Sequence, residues 1–208
     1  MRRETITKYI GCPKIILEFG SYDGIDAILY KNYFQEASVY AIEPDPIMFK
    51  ILKGKATKMG IQTYQYAITN KATDTVDFYE SKFLVQTAGM QIGDPSFAGS
   101  LGGPKNKISK VNHFVDTPIQ VPAITIKDFC KQQSITHVDF MHIDVEGSLK
   151  KVLEGFENIR PKLIFAETIG KGIYIGSNTR EEYQKMFENL GYIKIKDIEE
   201  NTLYLYKE

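Results

Sequence analysis

The stretch Lys14–Gly24, KIILEF followed by GSYDG, decides the fold. Its first half is a short apolar run that stops at a glycine, the pattern of a strand buried on both faces. From Asp23 to about Phe34 the pattern changes period. Ile25, Ile28 and Leu29 recur at i, i+3 and i+4, which predicts a helix with one apolar stripe. The same strand-then-helix order repeats downstream. Ser38–Ile42 (SVYAI) reads as a second strand closed by Glu43-Pro44-Asp45-Pro46, with Asp45 placed to cap a helix and Pro46 to take its first position. Met48, Ile51 and Leu52 supply that helix's stripe, and Gly60 is its natural stop. Ile61–Thr69 reads as a third strand, and Val76–Tyr79 as a short antiparallel piece.

The second half continues the alternation. Thr125 with Asp128 predicts a capped short helix, and Val138–Ile143 (VDFMHI) a fourth strand. A helix carrying Leu149, Val152, Leu153 and Phe156 leads to a fifth strand, Leu163–Ala166. Asn178 with Glu181 predicts the cap of a last helix, striped by Tyr183, Met186, Phe187 and Leu190 and ended by Gly191. Tyr192–Lys196 and Thr202–Tyr206 form a hairpin across Glu199-Glu200-Asn201. Strand–helix alternation predicts an α/β fold: a seven-stranded, mostly parallel sheet with helices on both faces and a C-terminal hairpin. One domain is expected over 1–208, with a long insertion at about 81–117. That segment, Ser81–Thr117, is rich in Gly and Pro without sustained periodicity, and connections of this length usually serve function.

Composition narrows the function classes. The 208 residues carry 26 Lys+Arg and 26 Asp+Glu, so the formal charge is zero. A general nucleic-acid binder usually shows a basic excess, and none is expected here. The N-terminal MRRETITKYIG lacks the apolar core of a signal peptide, and no apolar run approaches the ~18 residues that span a bilayer. No membrane partner is expected. Cys12 and Cys130 form no framework or ligand cluster, which fits a reducing, cytoplasmic setting.

In a doubly wound sheet, ligands lie beyond the carboxyl ends of the strands, where the winding reverses. The first exit is Glu18-Phe19-Gly20-Ser21-Tyr22-Asp23-Gly24. Gly20 permits a tight turn and close approach to the backbone. No Gly-Lys-Ser/Thr follows, and the middle glycine of G-x-G-x-x-G is missing, so a pyrophosphate cradle is not expected. The second exit is Glu43, 25 residues after Glu18, a carboxylate placed to accept both hydrogen bonds of a ribose diol. Helix-entry carboxylates are also favoured by the helix dipole alone. Together the exits imply a nucleoside ligand without a diphosphate, and a cationic sulfonium nucleoside suits an acidic pocket. His142-Ile143-Asp144-Val145-Glu146-Gly147 and Ala166-Glu167-Thr168 complete the rim, with His142 and Asp144 on one face by period-two alternation.

These residues carry a resemblance. From about Ile15 to Thr168 the chain resembles the FkbM family of S-adenosylmethionine-dependent methyltransferases, on the class I Rossmann-like fold. The likeness rests on the Glu18–Gly24 loop, Ala41-Ile42-Glu43-Pro44-Asp45, Tyr66-Ala67-Ile68, Ile143-Asp144-Val145-Glu146-Gly147 with Leu153-Glu154-Gly155, and Arg160-Pro161 before the Glu167 strand. The resemblance implies S-adenosylmethionine as cofactor and S-adenosylhomocysteine as product. It places Glu18, Phe19, Gly20, Ser21 and Asp23 along the methionine end, Glu43 with Pro44 at the ribose, Ala67 and Ile68 near the adenine, and Asp144 beside the cofactor. Two departures stand out: the family commonly has lysine at the position of His142, and aspartate more often than Glu18.

The implied reaction is O-methylation of a sugar, glycan or other small-molecule hydroxyl, by in-line attack on the cofactor methyl. Aligning the reactants is expected to contribute most to the rate, up to ~7–11 kcal/mol, with a base adding roughly 10²–10⁴-fold. Asp144 is the first candidate base. His113, in the long insertion, and Glu167 are the others, since histidine suits proton transfer at neutral pH. His142, two residues inside its strand, is expected to be a buried hydrogen-bonded partner. Hard oxygen ligands such as Asp144 and Glu167 suit Mg²⁺, but two carboxylates are few, and a metal-independent reaction is expected. The acceptor should meet residues 81–117 and the loop Gly170–Ser177, where Tyr22, Phe97 and Tyr174 are available to stack. A nucleotide-dependent oxidoreductase and a non-catalytic cofactor-binding module are the alternatives.

Overall fold

The apolar run at the start of the chain forms β1 (Ile15–Phe19), buried at every position after Ile15. The molecule is described by a computed structural model covering residues 1–71, 73–87, 90–94, 112–114, 117–168 and 177–207, with side chains described outside 81–114. Before β1 lies a helix absent from the sequence reading, α1 (Arg3–Ile10), with Ile6 fully buried and Tyr9 and Ile10 partly buried beside it at i+3 and i+4. After β1 come α2 (Ile25–Tyr33), β2 (Ser38–Ile42) and α3 (Pro46–Ala56). Asp45 caps α3 as expected: its side chain accepts from the backbone N–H of Ile47 and Met48, and Pro46 opens the helix.

The expected third strand divides in two. β3 (Gln62–Tyr64) continues the main sheet, whereas β4 (Ala67–Ile68) leaves it to pair with β9 (Ile119–Ile124). Between them come β5 (Thr75–Phe78), β6 (Ser81–Thr87), β7 (Met90–Asp94) and β8 (Asn112–Phe114). β5 pairs antiparallel with β9, so the Val76–Tyr79 expectation is met, while β9 itself was not foreseen. Within the 81–117 insertion, the described residues 81–87, 90–94 and 112–114 are strands. β6 pairs antiparallel with both β7 and β8.

The chain then forms α4 (Ile126–Gln132), β10 (Phe140–Ile143), α5 (Leu149–Glu154), β11 (Leu163–Glu167), α6 (Arg180–Asn189) and the hairpin β12 (Tyr192–Ile198) with β13 (Asn201–Tyr206). Thr125 caps α4 through the Asp128 N–H. The α6 capping box falls one residue later than expected, on Thr179 and Glu182.

The main sheet runs β3-β2-β1-β10-β11-β13-β12. Its strands are parallel except β13, which is antiparallel to β11 and β12. α1, α2 and α3 bury Ile6, Ala27, Tyr30, Leu52 and Ala56 on one face. α4, α5 and α6 bury Phe129, Val152, Leu153, Tyr183 and Phe187 on the other. The winding goes outward through β2 and β3, then returns to the other side of β1 as β10 and β11. The reversal therefore lies between β1 and β10, at Gly20 and Asp144. Among the described residues no helix is long and apolar enough to cross a membrane.

Candidate active site

The exits of β1, β2 and β10 are tied together by backbone before any side chain acts. Gly20 and Ser21 both donate N–H to the Ile42 carbonyl at 3.0 Å, and Asp144 donates its N–H to the Phe19 carbonyl at 2.9 Å. The Ser21 hydroxyl donates to the Glu18 carbonyl at 3.2 Å and accepts from the Ile42 N–H at 3.0 Å, so its role in these contacts is to join two strand ends. Gly20 has φ +78°, and a Cβ there would fall on the Asp144 carbonyl oxygen. The missing side chain thus makes room for the neighbouring strand's backbone, a second reason for glycine beside the tight turn.

Glu18 and Glu43 are buried carboxylates in this frame. Glu18 lies opposite His142 in the β1–β10 register, with its Oε1 3.4 Å from His142 Nδ1. Its Oε2 is buried and has no hydrogen-bond partner among the described residues. Burial raises the Glu18 pKa above the usual 4.5, against the lowering effect of His142. His142 is buried as expected, 3.2 Å from the Tyr30 hydroxyl and stacked on Phe165 at 5.3 Å. Burial opposes its protonation, but the Glu18 contact outweighs this and raises its pKa. Glu43 accepts from the Tyr22 N–H at 2.7 Å through Oε2 and from the Asp45 N–H at 2.9 Å through Oε1. Burial nevertheless pushes its pKa up to about 8. Each Glu43 oxygen keeps a second lone pair for a ligand.

A second group of carboxylates gathers beyond β10 and β11. Asp144, Glu146 and Glu167 each bring an oxygen within 4.8 Å of the others. Asp144 and Glu167 are candidate bases of the sequence, and Glu146 joins them. It is brought in by a left-handed backbone at φ 44° followed by Gly147 at φ 79°, and no periodicity signals that turn. Burial raises the Asp144 pKa, while His142 opposes the rise. Glu167 is pushed up to about 10 by burial and by the negative charges of Glu146, Asp144 and Glu200. Its proton relieves the crowding of charge. The three oxygens are hard donors of the kind a divalent ion takes.

The remaining candidates are scattered. Asp23 turns to Lys55 at 2.7 Å and to the Ile25 N–H at 3.2 Å. Phe19, Ala67 and Ile68 are buried in the apolar cores, and Pro44 is half-buried between Glu43 and Asp45. His113 lies on β8, with its side chain outside the described residues, as are Phe97 and Tyr174.

The profile of the FkbM methyltransferase domain matches residues 18–194, from the buried Glu18 to the hairpin. The chain belongs to the FkbM family of S-adenosylmethionine-dependent methyltransferases. This FkbM domain is 24% identical over 166 residues to the 2-O-methyltransferase NoeI of Sinorhizobium fredii, covering 78% of the chain and 66% of the relative. The chain therefore spans just under two thirds of that relative's length. In fold, it is similar to the METTL16 methyltransferase domain (TM-score 0.55, 10% identity, 99% of this chain, 66% of that one). It is also similar to the fibrillarin pre-rRNA processing protein of Methanococcus jannaschii (TM-score 0.51, 14% identity, 93% and 66%). These likenesses confirm the Rossmann-like class I methyltransferase fold expected for an FkbM domain.

Proposed function

We propose that residues 1–208 form one methyltransferase domain that transfers a methyl group from S-adenosylmethionine to a hydroxyl of a saccharide or other small molecule. The observation that carries this reading is the buried Oε2 of Glu18 at the winding reversal, without a partner among the described residues. A buried carboxylate oxygen without a donor is costly, and a cationic ligand bearing N–H groups would relieve it. When bound, S-adenosylmethionine supplies a methyl group already activated on a sulfonium. Glu18 would hold the ammonium end, with His142 and Tyr30 orienting its carboxylate. Glu43, beside Pro44, would accept from the ribose hydroxyls, while Ala67 and Ile68 close the apolar side. Gly20, Ser21 and Phe19 hold the loop to Asp144 and β2, and Asp23 anchors its end through Lys55.

Asp144 is the proposed base. Burial raises its pKa toward the working range, which makes the carboxylate a better proton acceptor than an exposed aspartate. Glu167 would enter protonated and donate a hydrogen bond, and His113 is the alternative base. A proton on Glu167 would relieve the like charges of Asp144, Glu146 and Glu167, and the transfer proposed is metal-independent. The saccharide assignment draws on the 2-O-methyltransferase relative.

Incubation with methyl-labelled S-adenosylmethionine and a panel of saccharides tests the reading. Label on a sugar oxygen is expected. Tight cofactor binding with transfer to none of the panel would instead favour a non-catalytic binding module.

A further inference from the structure

α3 and its flanks present an outward face whose chemistry the proposed reaction leaves unused. Among the described residues, the exposed large hydrophobic side chains are Ile25 (64%), Ile47 (45%), Ile51 (38%) and Met59 (38%). Ile47 and Ile51 lie one turn apart on α3, and Met59 follows in the short turn after it. Ile25 opens α2, whose start packs on α3: a Cβ on Gly24 would lie 2.6 Å from Leu52, and Asp23 pairs with Lys55. Exposed apolar side chains scattered singly are ordinary, but here they gather on one element and its neighbour.

The charges on that face are one-sided. Residues 46–73 contain Lys50, Lys53, Lys55, Lys58 and Lys71 and no Asp or Glu, in a chain whose charges otherwise balance at 26 against 26. Lys50, Lys53, Lys55 and Lys58 are all exposed; among the described residues Lys55 is the one in an ion pair, with Asp23, while Lys53 lies over the Phe49 ring at 5.9 Å. Gly54 sits within α3 with open space where a Cβ would point, so packing inside the chain does not call for it.

Aliphatic side chains interleaved with lysine are suited to one class of partner. Sequence-independent nucleic-acid sites combine basic residues with exposed aromatics for base stacking. The exposed residues from Ile47 to Gly60 include neither Arg nor an aromatic. Lysines keep their charge at a headgroup while their stems lie along apolar surface, and isoleucines enter the acyl boundary. We propose that α3 and its flanks dock on an anionic membrane surface, with Ile47, Ile51 and Met59 inserted at the interface and Lys50, Lys53 and Lys58 on the headgroups. This proposal departs from the expectation of no membrane partner, which rested on the lack of a spanning apolar run; a helix lying on a bilayer needs no such run. α3 starts directly after Glu43-Pro44-Asp45, so docking would bring the rim of the candidate active site to the interface. The docking itself does not depend on the proposed chemistry.

Flotation with vesicles tests the proposal, comparing phosphatidylcholine with phosphatidylglycerol in equal parts against phosphatidylcholine alone. The chain should partition onto the anionic vesicles about a hundred-fold or more above the neutral ones, and salt should weaken this. Lys50→Ala, Lys53→Ala and Lys58→Ala together should cut partition by about a hundred-fold, from about five-fold per lysine. Ile47→Ser with Ile51→Ser should lower it at every salt concentration. The chain has no tryptophan, so Ile47→Trp gives a unique reporter. Its emission should shift to the blue on anionic vesicles, whereas Lys151→Trp, on α5 across the sheet, should not move. No flotation, equal flotation of the lysine variant, or equal shifts at both positions would overturn the proposal. So would oligonucleotide binding lost in the lysine variant together with no vesicle binding.

Discussion

Replacing Glu18 by glutamine should make the chain more stable and a poorer cofactor binder at once. The carboxylate is 2% exposed, its Oε2 is unpartnered among the described residues, and its Oε1 reaches His142 only at 3.4 Å. Glutamine removes a buried charge, and His142 can respond by staying neutral, so no uncompensated charge is left. Relief of one poorly satisfied buried charge is worth about 1–2 kcal/mol. For a chain of this length that is a rise in Tm of about 2–8 °C. The sign depends on pH. Burial raises the native pKa above 4.5, so native stability is lost as pH climbs from that value, and the variant escapes the loss. Its advantage should therefore grow with pH. A charge-assisted hydrogen bond contributes about 1.5–3 kcal/mol, so affinity for S-adenosylmethionine should drop roughly 10- to 150-fold. Scanning calorimetry and isothermal titration read the two effects separately. A variant that melts lower while binding the cofactor as well as the original chain would refute the reasoning.

Gly20→Ala should cost about 2–5 kcal/mol of stability, combining a left-handed backbone with overlap of the Asp144 carbonyl; urea unfolding with a midpoint unchanged from the original would contradict this. Glu43 predicts a second pH effect. Its pKa of about 8, against 4.5 ordinarily, means that stability falls as pH rises across that window, by about 3–5 kcal/mol as an upper bound. The melting temperature of the original chain, measured against Glu43→Gln at each pH, should show that decline; a flat difference would count against it. Asp144→Asn should lower kcat about 10²–10⁴-fold with little change in cofactor KM, and EDTA should leave the original enzyme's turnover unchanged. Equal turnover in the variant would remove Asp144 as base, and loss with EDTA would call for a metal.

Much of the sheet was legible because each core strand is a short apolar run between a glycine or a carboxylate and a change of period. Ile15–Phe19, Ser38–Ile42 and Leu163–Glu167 need little else to declare themselves. The failures share a cause, which is dependence on partners far away in sequence. α1 is a two-turn helix whose Ile6, Tyr9 and Ile10 stripe is completed only by the distant core it packs against. Ile61–Thr69 looks continuous, yet β3 pairs with β2 and β4 with β9, a choice made by which neighbour each half meets. β9 carries Pro122, a residue that argues against a strand.

The site divides in the same way. Glu18, Glu43, Asp144 and Glu167 were readable as carboxylates at strand ends. That Gly20 yields to the Asp144 carbonyl, and that Glu146 turns back toward Asp144, are contacts between strand exits that no local pattern encodes. Ser21 and Asp23 show the same limit. Beside any ligand contact, the Ser21 hydroxyl joins Ile42 to Glu18 and the Asp23 carboxylate pairs with Lys55, contacts that no local pattern announces.

The central claim is that the buried carboxylates at the winding reversal form a pocket for a sulfonium nucleoside. Titration calorimetry of the chain with S-adenosylmethionine, set beside NAD under the same conditions, tests it most directly. Binding of S-adenosylmethionine that weakens in Glu18→Gln, with no heat from NAD, is the predicted result. Tight NAD binding without S-adenosylmethionine binding would contradict the account.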